Sequence, residues 1–268
     1  MSTAADPDAP AWLDDRLVSR GELPPTALDA SSACYTTGRY EAGHVHLGER
    51  VAARLVHDAW ALGIGHLEAA ACRRALHTLG RAAFGSGAGI VRLEARPGAR
   101  GAARCVGNTR PLGPEAPHWQ AIVSKTPHPG VDRVAGVKRV RPELAEARLE
   151  LAERADPANE ALLFDREGRL VEGTRSSLVV VDARGRLLTP AAALGGVASV
   201  SLAALRAAGV ALEQASLSRA ELDEAREIVA LNAVRGARPI VHLEGVPVGD
   251  GRPGPTGARL AECLAGLR

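Results

Sequence analysis

Lysine is almost missing from this sequence. Of the 33 basic residues in the 268-residue chain, only Lys125 and Lys138 are lysines, and the others are arginines. A genome biased toward Ala, Arg, Gly and Pro codons accounts for this scarcity, which by itself says nothing about function. A lysine kept in such a chain is nevertheless a candidate for chemistry that arginine cannot perform, because arginine does not lose its proton to become an amine nucleophile.

Aromatic residues and net charge are also low. Aromatics make up 3% of the chain, the formal net charge is +2, and charges of both signs are interspersed. The sequence has neither a basic stripe nor a set of stacking rings, which argues against a nucleic-acid partner. No apolar run approaches the ~18 to 20 residues of a membrane span, and the acidic N-terminal segment lacks a signal-peptide core. The sequence predicts a cytoplasmic protein without a membrane segment.

Cysteines and histidines show no metal-ligand spacing. The four cysteines include no C-x-x-C pair, so neither a zinc site nor a disulfide framework is indicated. The eight histidines are scattered, apart from His44 and His46, which alternate on a predicted strand. We therefore expect no metal, and we expect the cysteines to be reduced and mostly buried.

The first half of the chain predicts a small domain of strands and two helices. The composition, 46% hydrophobic and 24% charged, is that of an ordinary globular protein, and the length suits two domains. Apolar spacing predicts helices near 47–62 and over 67–84, followed by a strand at 89–95. The strongest break in composition then comes at 107–129, where proline and glycine accumulate, and it predicts a linker followed by a loop.

The second half predicts a mixed sheet with separate helices. Pro142 suits the first turn of a helix. The four short apolar runs that follow are separated by DREGR and DARGR, whose Asp and Gly placement is typical of tight hairpins. Further helices are predicted over 199–208, 220–226 and 256–267. Strands segregated from helices favour an α+β fold rather than a Rossmann fold. The predicted limits are a small N-terminal α/β domain at 1–107, a linker at 108–118 and a larger C-terminal mixed-sheet domain at 119–268.

Three segments of the second half carry candidate chemistry. Lys138 stands in AGVKRVRPEL, where apolar neighbours are expected to desolvate an amine and so favour Schiff-base formation; a solvated surface lysine is the alternative. Glu172 ends a predicted strand, where a carboxylate can hold a proton on a ring nitrogen. The GGVAS segment at 195–199 precedes a helix with Ser199 as its cap. Such a position binds phosphate through backbone N–H groups, or it is simply a turn.

The order of these segments resembles one family. Lys138 is followed by LLFDREGRLVEGTRSSLVVV, LTP, GGVAS, LNAVRGARPI and VPVGDGRPGP. In this order the chain resembles the class IV aminotransferases, the fold type IV enzymes of pyridoxal phosphate, from about Trp12 to the C-terminus. The resemblance implies a two-domain α+β fold, pyridoxal 5′-phosphate as cofactor, and a homodimer with each active site between the small and large domains.

The resemblance also implies roles for single residues. Lys138 stands at the place of the lysine that binds the cofactor covalently and later moves a proton. Glu172 matches the acid that pairs with the pyridine nitrogen, and Arg54, in GERVAARLVHDA, stands where an arginine binds the cofactor phosphate. The remaining cofactor-binding residues implied by the match are Ser176, Val197, Ala198, Asn232 and Ala233. The phosphate turn departs from the family pattern, because Ala198 and Ser199 replace a threonine and an arginine.

The segments CYTTGRY at 34–40 and RLEARPGARG at 92–101 bear on the substrate. They are most similar to the aminodeoxychorismate lyase branch, which makes 4-aminobenzoate and pyruvate, and they place Thr36, Arg96 and Arg100 at the substrate. Two departures are DASSACY in place of a Tyr-Gly-Asp segment, and Arg141 in place of an asparagine.

Two other functions remain open for the chain. One is an aminotransferase of the same family that acts on branched-chain or D-amino acids. The other is a non-catalytic homologue that retains the fold.

Overall fold

The chain forms two compact units. The computed structural model describes residues 6–24, 32–155 and 158–267. The first unit contains the described residues up to Pro114 together with Val137–Val140, and the second contains Glu115–Gly136 and the described residues from Arg141 to Leu267. The chain thus returns to the first unit for four residues, and these include Lys138.

The first unit is built on a six-stranded sheet with two helices. Every strand pair is antiparallel, and the strand order is β2-β1-β6-β5-β3-β4. The elements are β1 (Pro10–Leu13), β2 (Arg16–Ser19), β3 (Cys34–Glu41), β4 (His44–Val45), α1 (Gly48–Ala61), α2 (Ala69–Phe84), β5 (Ala88–Pro97) and β6 (Ala103–Pro111).

The two helices pack on this sheet through apolar stripes. Helix α1 buries Val51, Leu55 and Ala59, and α2 buries Leu76 and Leu79. These positions are three or four residues apart, so they lie on one face of each helix. The spacing that predicted the helices is therefore the spacing that builds the core of the first unit.

The second unit contains a nine-stranded mixed sheet. Its strand order is β12-β11-β10-β13-β14-β7-β8-β9, with β15 paired to β14. The elements are β7 (Trp119–Val123), α3 (Pro142–Glu153), β8 (Glu160–Phe164), β9 (Leu170–Gly173), β10 (Ser177–Val181), β11 (Leu187–Pro190), α4 (Val200–Ala207), β12 (Glu213–Ala215), α5 (Arg219–Asp223), β13 (Glu227–Asn232), β14 (Gly236–Leu243), β15 (Val246–Pro247) and α6 (Pro255–Gly266).

Alternation along the strands gives this sheet two packed faces. On β7, Ala121 belongs to a large cluster with Leu162 of β8, whereas Ile122 packs with Leu163 and with Leu144 of α3. Neighbouring residues of a strand point to opposite faces, so both faces of β7 and β8 are covered. This explains why the runs AIV of β7 and ALLF of β8 are apolar at consecutive positions rather than at alternating ones.

The D-x-x-G-R segments form matched hairpin turns. Asp165 Oδ1 accepts the backbone N–H groups of Glu167 and Arg169, and Asp182 does the same for Arg184 and Arg186. The glycine of each turn has a positive φ, 75° and 80°, which glycine adopts without a steric penalty. The predicted hairpins β8–β9 and β10–β11 are both present.

The predicted α+β class is confirmed, and several local expectations need correction. Residues 108–111, predicted as the start of the linker, continue β6, because they pair with β5. Within 107–129, Trp119–Val123 is a strand. His46 lies beyond the end of β4, so the histidine alternation does not fall on one strand.

The predicted domain limits themselves stay a prediction.

Within the described residues, no helix is long and apolar enough to cross a membrane. Two of the four cysteines, Cys34 and Cys72, are buried, while Cys105 and Cys263 are partly exposed; all four are unbonded.

Candidate functional site

Lys138 lies against β3 of its own unit. The Lys138 carbonyl accepts the N–H of Tyr35, and the next residue, Arg139, forms an isolated bridge with Cys34. The Lys138 ammonium lies 5.3 Å from the centroid of the Tyr35 ring. The lysine backbone is therefore held beside β3, and an aromatic face lies near its amine.

Asp58 fixes the same backbone from α1. Its Oδ2 accepts the N–H of Lys138 at 2.9 Å, and its Oδ1 lies 3.2 Å from Nδ1 of His57. Asp58 is only 1% exposed. The sequence interpretation missed this residue, although a signal was present: the apolar positions 51, 55 and 62 leave a gap at 58, and an acidic residue fills it on the buried face.

Arg54 lies one turn before Asp58 on α1. Its Nη2 donates to Thr36 Oγ1 at 2.8 Å, and its Nε has no hydrogen-bond partner among the described residues. Burial lowers the pKa of the guanidinium, and the charge of Asp58 opposes that shift. Arginine still remains protonated at neutral pH, so the first unit contains a partly buried cation with a spare donor at Nε.

Arg96, the predicted substrate residue on β5, is paired with a carboxylate. Arg96 Nε donates to Glu94 at 2.6 Å, and Arg92 Nη2 donates to the other oxygen of Glu94 at 3.2 Å. The Arg92 guanidinium also stacks 3.7 Å from the centroid of the Tyr35 ring. Glu94 thus orients Arg96. Arg92, the other arginine that contacts Glu94, was not predicted as a site residue. The side chain of Arg100 lies outside the described part of the chain.

Glu172 is the centre of a separate cluster in the second unit. It is the next-to-last residue of β9, is 5% exposed, and accepts hydrogen bonds on both oxygens. Oε1 lies 3.2 Å from Nε2 of His128, and Oε2 accepts the N–H of Val197 at 3.0 Å. A buried carboxylate needs such partners, because leaving a charge unpaired in the interior is costly.

His128 has no role predicted from the sequence. Its Nδ1 accepts the N–H of Gly130 at 3.0 Å, so the neutral ring carries its proton on Nε2 and donates it to Glu172. Arg141 Nη1 also lies 3.2 Å from His128 Nε2. Arg141 is buried, and its Nε and Nη2 atoms have no hydrogen-bond partner in the described part of the chain. The residue that replaces the family asparagine therefore adds a buried positive charge next to the His128–Glu172 pair.

The predicted phosphate turn uses its N–H groups within the protein. Val197 donates to Glu172, and Ala198 donates to the carbonyl of Gly136 at 2.8 Å. Ser199 caps α4 as expected, since its Oγ accepts the N–H of Leu202. The turn thus has the predicted shape, but neither of its two predicted N–H donors is unused.

The remaining cofactor-binding candidates make local contacts. Ser176 donates its hydroxyl hydrogen to the buried carboxylate of Glu160. Asn232 Oδ1 accepts the N–H groups of Val234 and Arg235, which shapes the turn that contains Ala233. Ser176 is a structural partner of Glu160 in this arrangement, and Asn232 is a turn residue. Across the described residues, no group of three or more His, Cys, Asp or Glu side chains is arranged to hold a metal ion.

The chain belongs to the class IV aminotransferase family. The family model for amino-transferase class IV matches residues 33–243, which include both clusters. Enzymes of this family are lyases and aminotransferases that depend on pyridoxal 5′-phosphate, and this chain is one of them. No curated protein matches the sequence.

Solved structures of the same fold align over nearly the whole chain. The 4-amino-4-deoxychorismate lyase of Pseudomonas aeruginosa is 27% identical, with 95% of this chain and 97% of that chain covered and a TM-score of 0.78. The branched-chain aminotransferase of Escherichia coli is 19% identical, with 97% and 94% covered and a TM-score of 0.82. The branched-chain aminotransferase of Thermobaculum terrenum in its PLP form is 19% identical, with 97% and 94% covered and a TM-score of 0.79.

Each unit, taken by itself, contains a residue that fits one group of pyridoxal 5′-phosphate. Arg54 suits the anionic phosphate, because a partly buried guanidinium with an unused donor is stabilised by an anion. Glu172 suits the pyridine nitrogen, because its two oxygens have about four acceptor positions and the described contacts use two of them. The fit is weaker at Val197 and Ala198, whose N–H groups already have acceptors.

Proposed function

We propose that this protein is a pyridoxal phosphate-dependent lyase that converts 4-amino-4-deoxychorismate to 4-aminobenzoate and pyruvate. The observation that carries the proposal is the 27% identity with the Pseudomonas aeruginosa lyase over 95% of the chain, against 19% for the Escherichia coli branched-chain aminotransferase. The buried Thr36, which accepts a hydrogen bond from Arg54, supports the same proposal. Thr36 and its neighbour Thr37 also match, by resemblance, a pair of threonines in the lyase branch.

Lys138 is the group that moves protons in this proposal. The cofactor, when bound, draws electrons from the substrate carbon that bears the amino group. Lys138 Nζ would remove the proton from that carbon. Asp58 and Tyr35 hold the lysine backbone, so the amine has a defined origin on the first unit.

Glu172 and Arg54 bind the cofactor in this proposal. Glu172 holds a proton on the pyridine nitrogen, and His128 keeps the carboxylate oriented by donating to Oε1. Arg54 binds the phosphate through Nε and Nη groups, and Thr36 orients the guanidinium. Arg96 or Arg100 binds a substrate carboxylate.

An aminotransferase acting on branched-chain or D-amino acids is the second candidate. It is favoured by the TM-score of 0.82 with the Escherichia coli branched-chain aminotransferase, which slightly exceeds that of the lyase. The two activities share Lys138, Glu172 and Arg54 and differ only in the residues at the substrate. The proposal for either activity includes a homodimer in the cytoplasm.

The first experiment tests whether Lys138 binds the cofactor. Purified protein incubated with pyridoxal 5′-phosphate should show a visible absorbance band that borohydride bleaches, and Lys138→Ala should lose the band. Lys125→Ala is the matched control, because Lys125 is the other lysine and is exposed. Lys138→Arg should be inactive although its charge is preserved. A colourless wild-type protein would exclude the proposed chemistry.

The second experiment separates the two activities. The holoenzyme is incubated with 4-amino-4-deoxychorismate, and pyruvate and 4-aminobenzoate are measured. Branched-chain and D-amino acids are then offered with 2-oxo acids, and amino-group exchange is measured. Pyruvate release in the first assay supports the lyase. Exchange in the second without pyruvate in the first establishes the aminotransferase instead.

A further inference from the structure

Two cysteines far apart in sequence are brought together in the first unit. Cys72 lies in α2 and Cys105 lies in β6, and both line the same groove of the first unit. Cys72 is 2% exposed, and Cys105 is partly exposed. The sequence shows no sign of this pair, since 32 residues separate the two positions.

The packing of α2 on β6 explains the contact. A Cβ placed on Gly107 would lie 3.0 Å from Cδ2 of Leu79, so Gly107 faces α2. Cys105 lies two residues before Gly107 on the same strand and therefore faces the same way. Cys72 lies seven residues before Leu79, about two helical turns, and so shares its side of the helix. The pair is thus fixed by two regular elements rather than by loops.

The dithiol opens to a groove of about 920 Å³ in the first unit. Both cysteines line this groove, together with Trp12, Asp14 and Arg104. The groove gives a small polar oxidant a route to the two sulfur atoms. A metal ion is a poorer occupant, because no third ligating side chain completes a cluster here in the described residues.

The two thiols differ in their readiness to ionise. The hydrogen bond from Cys105 lowers the pKa of Cys72, against the effect of burial. The same hydrogen bond and burial raise the pKa of Cys105. Because the thiolate is the reactive form, Cys72 is the nucleophile of the pair and Cys105 is the proton-bearing partner.

We propose that Cys72 and Cys105 form a site of reversible oxidation, with hydrogen peroxide as the oxidant and an intramolecular disulfide as the product. The Cys72 sulfur attacks one peroxide oxygen, the O–O bond breaks, and water leaves, so that Cys72 becomes a sulfenic acid. Cys105 Sγ then attacks the Cys72 sulfur, the S–O bond breaks, and the Cys105 proton leaves with the hydroxide as a second water. Both cysteines are oxidised, and one peroxide is reduced to two waters.

The other two cysteines do not form such a pair. Burial, followed by the charge of Asp58, raises the pKa of Cys34 to about 12, so its thiol stays protonated. Cys34 contacts the carbonyl of Leu55 rather than a second sulfur. Cys263 lies in α6 of the second unit. The proposed site is therefore specific to Cys72 and Cys105.

The test uses the full-length protein loaded with pyridoxal 5′-phosphate and treated with stoichiometric hydrogen peroxide. The number of titratable thiols in the wild type should fall from four to two, and its mass should fall by about 2 Da. Treatment with dithiothreitol should restore the two thiols and the original mass. Tryptic digestion without reduction should link the peptide 55–73 to the peptide 105–125. Peptide mapping of the wild type does not depend on whether any variant folds.

Cysteine-to-alanine variants provide a second measurement of the same disulfide. Cys72→Ala and Cys105→Ala should each keep all three remaining thiols free of intramolecular disulfide, whereas Cys263→Ala, the matched control, should still form the 72–105 link. The disulfide should also raise the melting temperature of the wild type by several degrees, because it closes a loop between α2 and β6. Four thiols left after peroxide, a link between other cysteines, or irreversible oxidation of Cys72 alone would each overturn the proposal.

Discussion

Nε2 of His128 lies 3.2 Å from Oε1 of Glu172, and both side chains are buried in the second unit. The N–H of Gly130 fixes the tautomer from the other side of the ring by donating to Nδ1. The histidine is therefore a donor aimed at the carboxylate. This contact gives His128 a positioning role toward the residue that we propose to pair with the cofactor nitrogen.

We expect His128→Ala to weaken binding of pyridoxal 5′-phosphate about 10- to 100-fold, since it removes a hydrogen bond to a charged group. Equilibrium titration of the apoprotein, followed by absorbance and tryptophan fluorescence, measures the change. His118→Ala serves as the control, because His118 is exposed in the same unit. The pH dependence of the visible band should shift in His128→Ala, which a merely structural role would not produce. Unchanged affinity and an unchanged pH profile would exclude the positioning role.

Asp58 provides the second prediction. Asp58→Ala leaves the N–H of Lys138 without its acceptor, and we expect it to lower the free energy of unfolding by about 1–3 kcal/mol and to reduce kcat. Asp58→Asn keeps an acceptor oxygen and should lose less of both. Urea unfolding and steady-state kinetics measure the two effects. Asp223→Asn, at an exposed ion pair with Arg219, should change stability by less than about 0.5 kcal/mol. Equal effects of Asp58→Ala and Asp223→Asn would contradict the assignment.

Arg54 provides the third prediction, which depends on the phosphate alone. We expect Arg54→Gln to weaken binding of pyridoxal 5′-phosphate by about 100-fold or more while leaving the binding of pyridoxal, which has no phosphate, nearly unchanged. The ratio of the two dissociation constants is the measurement. Arg50→Gln, an exposed residue one turn earlier on α1, should leave that ratio as in the wild type. A parallel loss for both ligands would mean that Arg54 supports the fold and not the phosphate.

The Asp165 turn provides a stability prediction with a defined pH dependence. Burial acts to raise the pKa of Asp165, but hydrogen bonds from the backbone and guanidinium of Arg169 outweigh it, and the pKa lies below the usual 3.8. A depressed folded-state pKa gives stability that is present above the unfolded pKa and is lost as pH falls through the folded one. Asp165→Asn should therefore cost about 1–3 kcal/mol at pH 7 and clearly less near pH 2.

Asp182 is the natural comparison for Asp165. It makes the same contacts in the second D-x-x-G-R turn, and its side chain is more exposed, 19% against 5%. Asp182→Asn should therefore have the smaller effect in denaturant unfolding at pH 7. A loss of stability at Asp165→Asn that does not change between pH 7 and pH 2 would show that its charge is not the cause.

Several features of the fold follow directly from local sequence. The apolar stripes of α1 and α2, Pro142 at the start of α3, and the two D-x-x-G-R turns are encoded within a few residues, so periodicity and turn chemistry were enough to predict them. The α5 prediction over 220–226 was too long, because the helix ends at Asp223. Helix ends depend on capping and on tertiary contacts and are the least certain part of such a prediction.

The candidate site divides in the same way. The ordered series of segments around Lys138 and Glu172 pointed to the family and the cofactor, and the family is confirmed. The contacts of those residues could not be predicted from the sequence. Asp58 reaches Lys138 across 80 positions and His128 reaches Glu172 across 44, and no local pattern specifies such pairs. The roles of the individual site residues stay predictions.

By itself, the sequence determined the periodic elements, the tight turns, the near absence of lysine and the family to which the chain belongs, because each depends on residue type and local spacing. Only the tertiary structure decided which buried polar groups meet. In the tertiary structure, His128 contacts Glu172, Asp58 accepts the backbone N–H of Lys138, and Cys72 and Cys105 line one groove. Long-range packing selects those partners, because it determines which polar groups of neighbouring elements lie close enough to compensate for the cost of burial.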